Sequence, residues 1–268
     1  CENHGQAPGQ RSSLFKANVK IDSAKPMKAI VLTCDRFRAV TDHMIGRYAK
    51  LWPDHPFRFR VPYQELGPTA AAETVDYKKS PLRIKATVLA LLEDLDGEEM
   101  VYWCIDDKYP IKLDVPRIGG MLRWLAGESA STVSGILFCR CRKMLDSRFL
   151  TEQTVVDDAK NVYLERKGYA QIWLHQFLRV KVLRHLFESF PDSIPAARAM
   201  DELKTRLKKP PSHRVFVSRE NAAVFGESTS HGVLTQNCHR SILENGLALP
   251  DWCSSTTNEE IVMGELDD

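Results

Sequence analysis

Two adjacent aspartates, Asp106 and Asp107, are the residues of this sequence with the clearest capacity for chemistry. They follow the apolar run MVYWCI, which is typical of a strand buried on both faces of a parallel sheet. Ligands bind at the carboxyl ends of such strands, and neighbouring carboxylates repel each other unless a cation lies between them. The pair therefore predicts a divalent metal, Mg²⁺ or Mn²⁺, that bridges to a pyrophosphate. The alternative is a turn in which one aspartate caps the next element.

Two further groups are candidates for contact with a nucleotide. Thr33, Asp35 and Arg36 lie at the end of the first apolar run, so we expect them at the same edge of the sheet, near a base or ribose. Arg83 comes early in the helix that precedes the acidic strand, where a cation and free backbone N–H groups would meet a diphosphate. A polar loop and a solvated basic helix face are the alternatives.

The second half of the chain offers candidates for an acceptor. The segment 168–190 is predicted as one helix stopped by Pro191, and Tyr169, Gln171 and Trp173 mix aromatic and polar edges of the kind that bind sugars. His231, in the polar, glycine-containing loop 226–238, is another candidate for contact with the acceptor, as a hydrogen-bond donor. Trp173 could equally anchor the core, and a loop histidine is usually solvated.

Asp201 and Glu202 are candidate general bases for an acceptor hydroxyl. They lie in a second predicted helix, 195–208, that is otherwise rich in basic residues. Ion pairs on the surface of that helix are the alternative role for both carboxylates.

Strands and helices alternate along the chain, which favours one α/β domain over residues 27–253 with a central, mostly parallel sheet flanked by helices. A further helix is predicted to start with Ser80 as N-cap and Pro81 at the first helical position. Residues 1–26 are expected to be a flexible extension before Met27, and the acidic tail 254–268 is expected to be disordered. The remaining predicted strands are 28–34, 56–63, 99–105, 135–142 and 213–218, and the remaining predicted helices are 40–51, 119–126 and 233–245.

The composition excludes several classes of protein. A formal charge of +2, from 37 basic and 35 acidic residues, lacks the one-sided balance of a dedicated nucleic-acid binder. Seven cysteines without a CxxC pair favour free thiols in a reducing compartment. The motifs GxGxxG, GxxxxGK[ST], HExxH and GxSxG are missing. We expect a cytoplasmic protein, with peripheral contact to the inner face of the membrane through basic stretches such as 179–184.

Taken together, these segments resemble bacterial glycosyltransferases of the GT-A type that build surface polysaccharides. The likeness covers residues 27–252 and lies in MKAIVLTCDRF, LWPDHPFRFRVPY, SPLRIKATVLALLEDL, MVYWCIDDKYPI, GYAQIWLHQFLRVKVLRHLF and the pattern GES…HGVLT…GLALP. It implies a nucleotide-sugar-binding α/β sandwich in which Asp106 and Asp107 hold the metal and the donor diphosphate. Ile105 stands where the usual Asp-x-Asp motif has its first aspartate.

The resemblance implies transfer of a sugar from a nucleoside-diphosphate sugar to a glycan or lipid-linked glycan, with inversion and with Asp201 or Glu202 as the base. Thr33, Asp35 and Arg36 would match the first donor loop of the family. One alternative is a sugar nucleotidyltransferase, which should carry a loop rich in glycine and lysine after the first strand, whereas TCDRFRAV contains no glycine. Another is a non-catalytic module of the same fold that binds glycans or nucleotides.

Overall fold

The computed structural model describes residues 26–67, 74–141, 144–194, 196–258 and 262–264. The extension predicted for residues 1–26 lies outside these ranges except for Pro26. The helices are α1 (Arg38–Leu51), α2 (Ile84–Leu92), α3 (Val115–Ala126), α4 (Val180–Ser189), α5 (Ala197–Leu203) and α6 (Gln236–Glu244). The strands are β1 (Met27–Leu32), β2 (Phe57–Tyr63), β3 (Val75–Lys79), β4 (Met100–Ile105), β5 (Lys108–Leu113), β6 (Gly135–Leu137), β7 (Leu150–Val156), β8 (Val162–Arg166), β9 (Gln176–Arg179), β10 (Val215–Ser218), β11 (Ala223–Glu227), β12 (Thr229–Ser230), β13 (Val233–Thr235), β14 (Thr256–Thr257) and β15 (Val262–Met263).

A nine-stranded sheet forms the centre of the molecule, with the strand order β3-β2-β1-β4-β9-β6-β10-β8-β7. The first four strands of this order are parallel to one another, and β9 runs antiparallel to both of its neighbours. Two small sheets, β15-β11-β5 and β12-β13-β14, lie beside it. The predicted fold class, α/β with a mostly parallel sheet flanked by helices, is confirmed.

Both faces of the central sheet are covered, because alternate residues of its inner strands are buried in two different cores. In β1, Ala29 and Val31 pack in the core that contains residues of α1, α3 and α6, while Ile30 packs in the core formed with α2, α4 and α5. A strand with apolar contacts on both sides reads as a continuous apolar run. This explains why the first and fourth strands were recognisable in the sequence.

The start of α2 differs from the prediction. The helix begins at Ile84, its N-cap position is Arg83, and no side chain caps it. Ser80 does not serve as the cap, because its N–H donates to the Tyr63 carbonyl at 2.9 Å and continues the pairing of β2 with β3. The preceding segment, in which no strand was predicted, contains the edge strand β3.

The single helix predicted for 168–190 is wrong in its first half. Residues 168–175 form turns in which Gln171 has a left-handed backbone with φ of 58°, and β9 then inserts between β4 and β6. Phe177 and Leu178 point into opposite cores, which is the period of a strand. Only α4 keeps the helical pattern, because one side of it packs on the sheet.

The C-terminal third also contains strands that were not predicted. The segment 226–238, predicted as a flexible loop, includes the hairpin of β12 and β13. Within the tail predicted to be disordered, β14 pairs with β13 and β15 pairs with β11, and Met263 is buried. A short apolar pair in an acidic segment gives too weak a pattern to predict a strand.

A glycine in β6 provides a test of this packing. A Cβ at Gly135 would lie 2.6 Å from the Phe177 carbonyl oxygen and closer still to the Leu178 side chain. We expect Gly135→Ala to lower the free energy of unfolding by about 2 kcal/mol, since overpacking forces neighbours apart. Urea denaturation measures the change. Gly168→Ala, where a Cβ would meet nothing within 4 Å, is the matched control; equal losses in the two variants would contradict the assigned contact.

Candidate active site

A cleft of about 710 Å³ opens at the carboxyl ends of β1 and β4. Its walls come from the loop after β1, the turn between β4 and β5, the segment before β9, and α5. Six of the residues proposed from the sequence line it, namely Thr33, Asp106, Asp107, Gln171, Trp173 and Asp201. The fold thus brings together residues that are far apart in the chain, at the edge of the sheet where α/β proteins bind ligands.

Asp106 is a half-buried carboxyl group whose pKa is altered by the fold. Its N–H donates to the Leu32 carbonyl at 3.2 Å, which places it directly beside the end of β1. Burial and the adjacent charge of Asp107 raise the pKa of Asp106 to about 7, against a hydrogen bond from Thr33 that lowers it. This carboxyl group is therefore partly protonated near neutral pH.

Asp107 is paired with a buried lysine that the sequence argument overlooked. The Nζ atom of Lys108 lies 3.0 Å from Asp107 Oδ2 and 3.1 Å from Glu227 Oε1. Burial lowers the pKa of Lys108, but Asp107 and Glu227 outweigh it, so the pKa is raised overall and the ammonium is charged. The partnership follows from the antiparallel register of β5 and β11, in which Lys108 and Glu227 stand opposite each other.

One oxygen of the acid pair has the character of a ligand for a divalent metal. Asp107 Oδ1 is buried and has no hydrogen-bond partner among the described residues, so it is an available ligand. No group of three or more His, Cys, Asp or Glu side chains in the described part of the chain is arranged around a common metal position. Mg²⁺ is commonly held by one or two carboxylates together with substrate phosphates and water, which agrees with two protein ligands.

The predicted donor loop divides into a residue in the cleft and two residues with other contacts. Thr33 lines the cleft, and its hydroxyl lies 2.7 Å from that of Thr41. Asp35 accepts N–H bonds from residues 64–66, and these bonds hold its pKa below the ordinary value although burial opposes the shift. The Arg36 guanidinium lies over the Phe37 and Trp252 rings. Asp35 and Arg36 therefore hold loops together beside the cleft and do not line it.

Three other proposed contacts lie away from the cleft. Arg83 donates to the Asp192 carbonyl, at 3.4 Å, in a neighbouring groove. Tyr169 is 1% exposed and belongs to the core formed with α2 and α4. His231 is exposed at the tip of the β12–β13 hairpin, where its φ of 52° and the following Gly232 make a tight turn. These three residues therefore do not line the cleft that contains the acid pair, and their contact with a ligand stays a prediction.

Gln171 and Trp173 form part of one wall, as a turn and not as a helix face. The Gln171 side chain accepts from the Cys141 N–H at 2.9 Å and donates to the Cys141 carbonyl, so its amide is engaged in fixing that wall. The Trp173 indole N–H is buried and has no partner among the described residues. A ligand hydroxyl or carbonyl that entered the cleft would supply the missing acceptor.

The two candidate bases occupy different sides of α5. Asp201 lines the cleft and forms an ion pair with Lys204, a lysine that is itself only 9% exposed. Glu202 does not line the cleft, and it pairs with Arg198, whose side chain is largely exposed like its own. Consecutive helical residues point about 100° apart, which separates the two carboxylates. Of the pair, only Asp201 can reach a ligand in the cleft.

His175 is a buried residue that contacts the backbone of Ile105, next to the acid pair. Its Nδ1 atom lies 2.7 Å from the Tyr48 hydroxyl, and its Nε2 atom lies 3.0 Å from the carbonyl of Ile105, the residue before Asp106. Burial lowers the pKa of His175 to about 3, so the ring is neutral. The helix predicted for 168–190 would include His175, and only the position of β9 beside β4 shows what this residue contacts.

No protein-family model and no curated protein sequence matches this chain. Solved structures similar to it include TarS from S. aureus, with 14% identity and a TM-score of 0.44 over 74% of this chain and 36% of TarS. The 2-C-methyl-D-erythritol 4-phosphate cytidylyltransferase of Thermus thermophilus has 10% identity and a TM-score of 0.42 over 83% of this chain and 100% of that enzyme. The galactosyltransferase LgtC, in complex with donor and acceptor sugar analogues, has 11% identity and a TM-score of 0.36 over 69% and 67% of the two chains. At these identities the similarity is one of α/β fold, and it assigns the chain to no family.

Proposed function

We propose that this chain is a glycosyltransferase that moves a sugar from a nucleoside-diphosphate sugar to a glycan or lipid-linked glycan. The observation that carries the proposal is the acid pair at the carboxyl end of β4, inside a cleft, with one carboxyl oxygen that has no partner among the described residues. The predicted resemblance to glycosyltransferases of the GT-A type agrees with this position.

The donor diphosphate is proposed to lie against Asp106 and Asp107. These two residues would hold Mg²⁺ or Mn²⁺, which supplies positive charge that stabilises a departing diphosphate. Asp106 binds the metal as a carboxylate, and the charge of a divalent cation beside it favours that ionised form. Thr33 offers a hydroxyl at the same end of the cleft.

The acceptor hydroxyl is proposed to lie near Asp201, which accepts its proton as the sugar is transferred. Direct attack by the acceptor with a single base is the inverting course of reaction. Lys204 keeps the Asp201 carboxylate oriented through their ion pair. The wall formed by Gln171 and Trp173 would cover the sugar, with an apolar ring face and the indole N–H as a donor.

Neighbouring residues of α5 provide a matched test of the base. We expect Asp201→Asn to lower kcat at least a hundredfold with little change in nucleotide affinity, since loss of general base catalysis typically costs a factor of 10² to 10⁴. Glu202→Gln should retain activity within about twofold of the wild type, because its ion pair is exposed. Steady-state kinetics of both variants decide the matter, and comparable activities would exclude Asp201 as the base.

The donor class can be found by a thermal-shift screen of UDP, GDP, CMP and dTDP sugars, each with and without Mn²⁺. A ligand that binds only the folded protein increases the free energy of unfolding, by about 2.7 kcal/mol at a ligand concentration of a hundred times Kd. The increase raises Tm. We expect one nucleotide to raise Tm in a metal-dependent way. No shift with any nucleotide at saturating concentration would contradict the proposal and leave a binding module without nucleotide chemistry.

The place of action follows from the same proposal. The described cysteines are free thiols, which agrees with a reducing compartment such as the cytoplasm. None of the described helices combines the length and apolar character needed to cross a membrane. The basic stretch 179–184 is engaged internally, because Arg179 and Lys181 pair with Glu98 while Arg184 donates to carbonyls of Leu92 and Leu95. These contacts weaken its proposed role at a membrane surface.

A further inference from the structure

A fixed cation stands at the acidic end of the cleft. The Lys108 side chain is 8% exposed, and its ammonium lies within 3.1 Å of one oxygen of Asp107 and one oxygen of Glu227. Because β5 and β11 pair in a register that sets Lys108 opposite Glu227, the position of this charge is fixed by the sheet and not by a mobile loop.

We propose that Lys108 is a positioning residue that makes metal binding at the acid pair conditional on the donor diphosphate. Its ammonium forms an ion pair with Asp107 Oδ2 and leaves Oδ1 for the metal. Without a nucleotide, the protein therefore offers few oxygen ligands to Mg²⁺. The ammonium also repels a divalent ion that approaches the same carboxylate. A diphosphate supplies both the missing oxygen ligands and the negative charge that offsets this repulsion.

The role of the diphosphate rests on the proposed function, whereas the effect of Lys108 on the bare site does not. Without the lysine, Asp107 and Glu227 would face each other with the nearby Asp106, and a divalent cation would be the natural group to separate them. Lys204, the other buried lysine of the cleft, pairs with Asp201 and provides a matched control.

Binding of Mn²⁺ is measured directly by the electron paramagnetic resonance signal of the free ion, with the full-length protein and no nucleotide. We expect Lys108→Met and Lys108→Gln to bind Mn²⁺ at least tenfold more tightly than the wild type, while Lys204→Met matches the wild type. A gain in affinity cannot result from loss of fold, and two neutral substitutions guard against the failure of one. Unchanged affinity in both Lys108 variants, or an equal gain in Lys204→Met, would overturn the inference.

A second titration adds pyrophosphate, with a protein-free series to subtract the ion that pyrophosphate itself binds. We expect pyrophosphate to increase the Mn²⁺ bound by the wild type at least tenfold, and to have a smaller effect on Lys108→Met. No increase in the wild type would overturn the conditional binding and count against the proposed function. The gain of the Lys108 variants in the absence of pyrophosphate would still show that the lysine excludes the metal from the bare site.

Discussion

Asp107→Asn is expected to weaken binding of the nucleotide in the presence of Mn²⁺ at least a hundredfold, or about 2.7 kcal/mol. Asparagine keeps the shape of the side chain but removes the charge that would hold the metal, and a neutral amide oxygen is a much poorer partner for a divalent cation. Asp107 is the more direct test of the pair, because its Oδ1 atom has no hydrogen-bond partner among the described residues. Lys108 pairs with the other oxygen, Oδ2. The measurement is a titration by calorimetry with the nucleotide that the thermal screen selects.

The control for this variant is Asp158→Asn, which removes the same charge from an exposed turn between β7 and β8. It should bind the nucleotide as the wild type does. We also expect Asp107→Asn to lose little stability, because the Asp107 side chain is 42% exposed and its ion pair is partly screened. Wild-type affinity in a well-folded Asp107→Asn protein would remove the acid pair from the proposed donor site.

His175→Gln is expected to cost about 2 kcal/mol of stability at pH 7.5, and this cost should shrink as the pH falls. The ring bonds Tyr48 and the backbone at Ile105, and leaving such buried groups unpaired typically costs about 1 to 3 kcal/mol. Burial lowers the pKa of His175 to about 3 in the folded protein, whereas the ordinary value in an unfolded chain is about 6.5.

The sign of the pH effect follows from these two values. Below pH 6.5 the unfolded chain binds a proton at His175, whereas the folded protein does not. The free energy of unfolding of the wild type therefore falls by about 1.4 kcal/mol per pH unit until the pH approaches 3. Glutamine does not titrate, and the other titrating groups are common to both proteins. Denaturant unfolding at several pH values should therefore show a constant gap above pH 7, a gap that closes at about pH 5, and a variant that is more stable than the wild type at lower pH. A gap that stays constant in acid would mean that His175 is not buried as a neutral ring.

Local pattern was enough to predict the framework of the binding edge. The runs that became β1 and β4 are apolar on both faces, and each is followed at once by polar residues, so Thr33, Asp106 and Asp107 could be assigned to one edge of a parallel sheet. Adjacent carboxylates after an apolar strand repel each other unless a cation lies between them, which is why the acid pair stood out in the sequence.

Local pattern did not indicate the contacts of residues whose partners are distant in the chain. Asp35 and Arg36 adjoin Thr33, yet one side chain caps the backbone of residues 64–66 and the other lies over Trp252. Asp201 and Glu202 are equivalent by type, and the packing of Met200 against the sheet decides which of them faces the cleft. These outcomes rest on the rotation of a helix or the course of a loop.

The sequence by itself determined the α/β class and the position of the acid pair at the edge of the sheet where the cleft opens, because each depends on the order and period of neighbouring residues. Only the tertiary structure decided that 168–179 ends in a strand, since β9 is stabilised by β4 and β6 on either side and not by its own propensity. It also decided that Lys108 meets Glu227, a residue of the distant strand β11. The strands β5 and β11 are distant in the chain, so the residues around Lys108 do not indicate which residue of β11 lies opposite it.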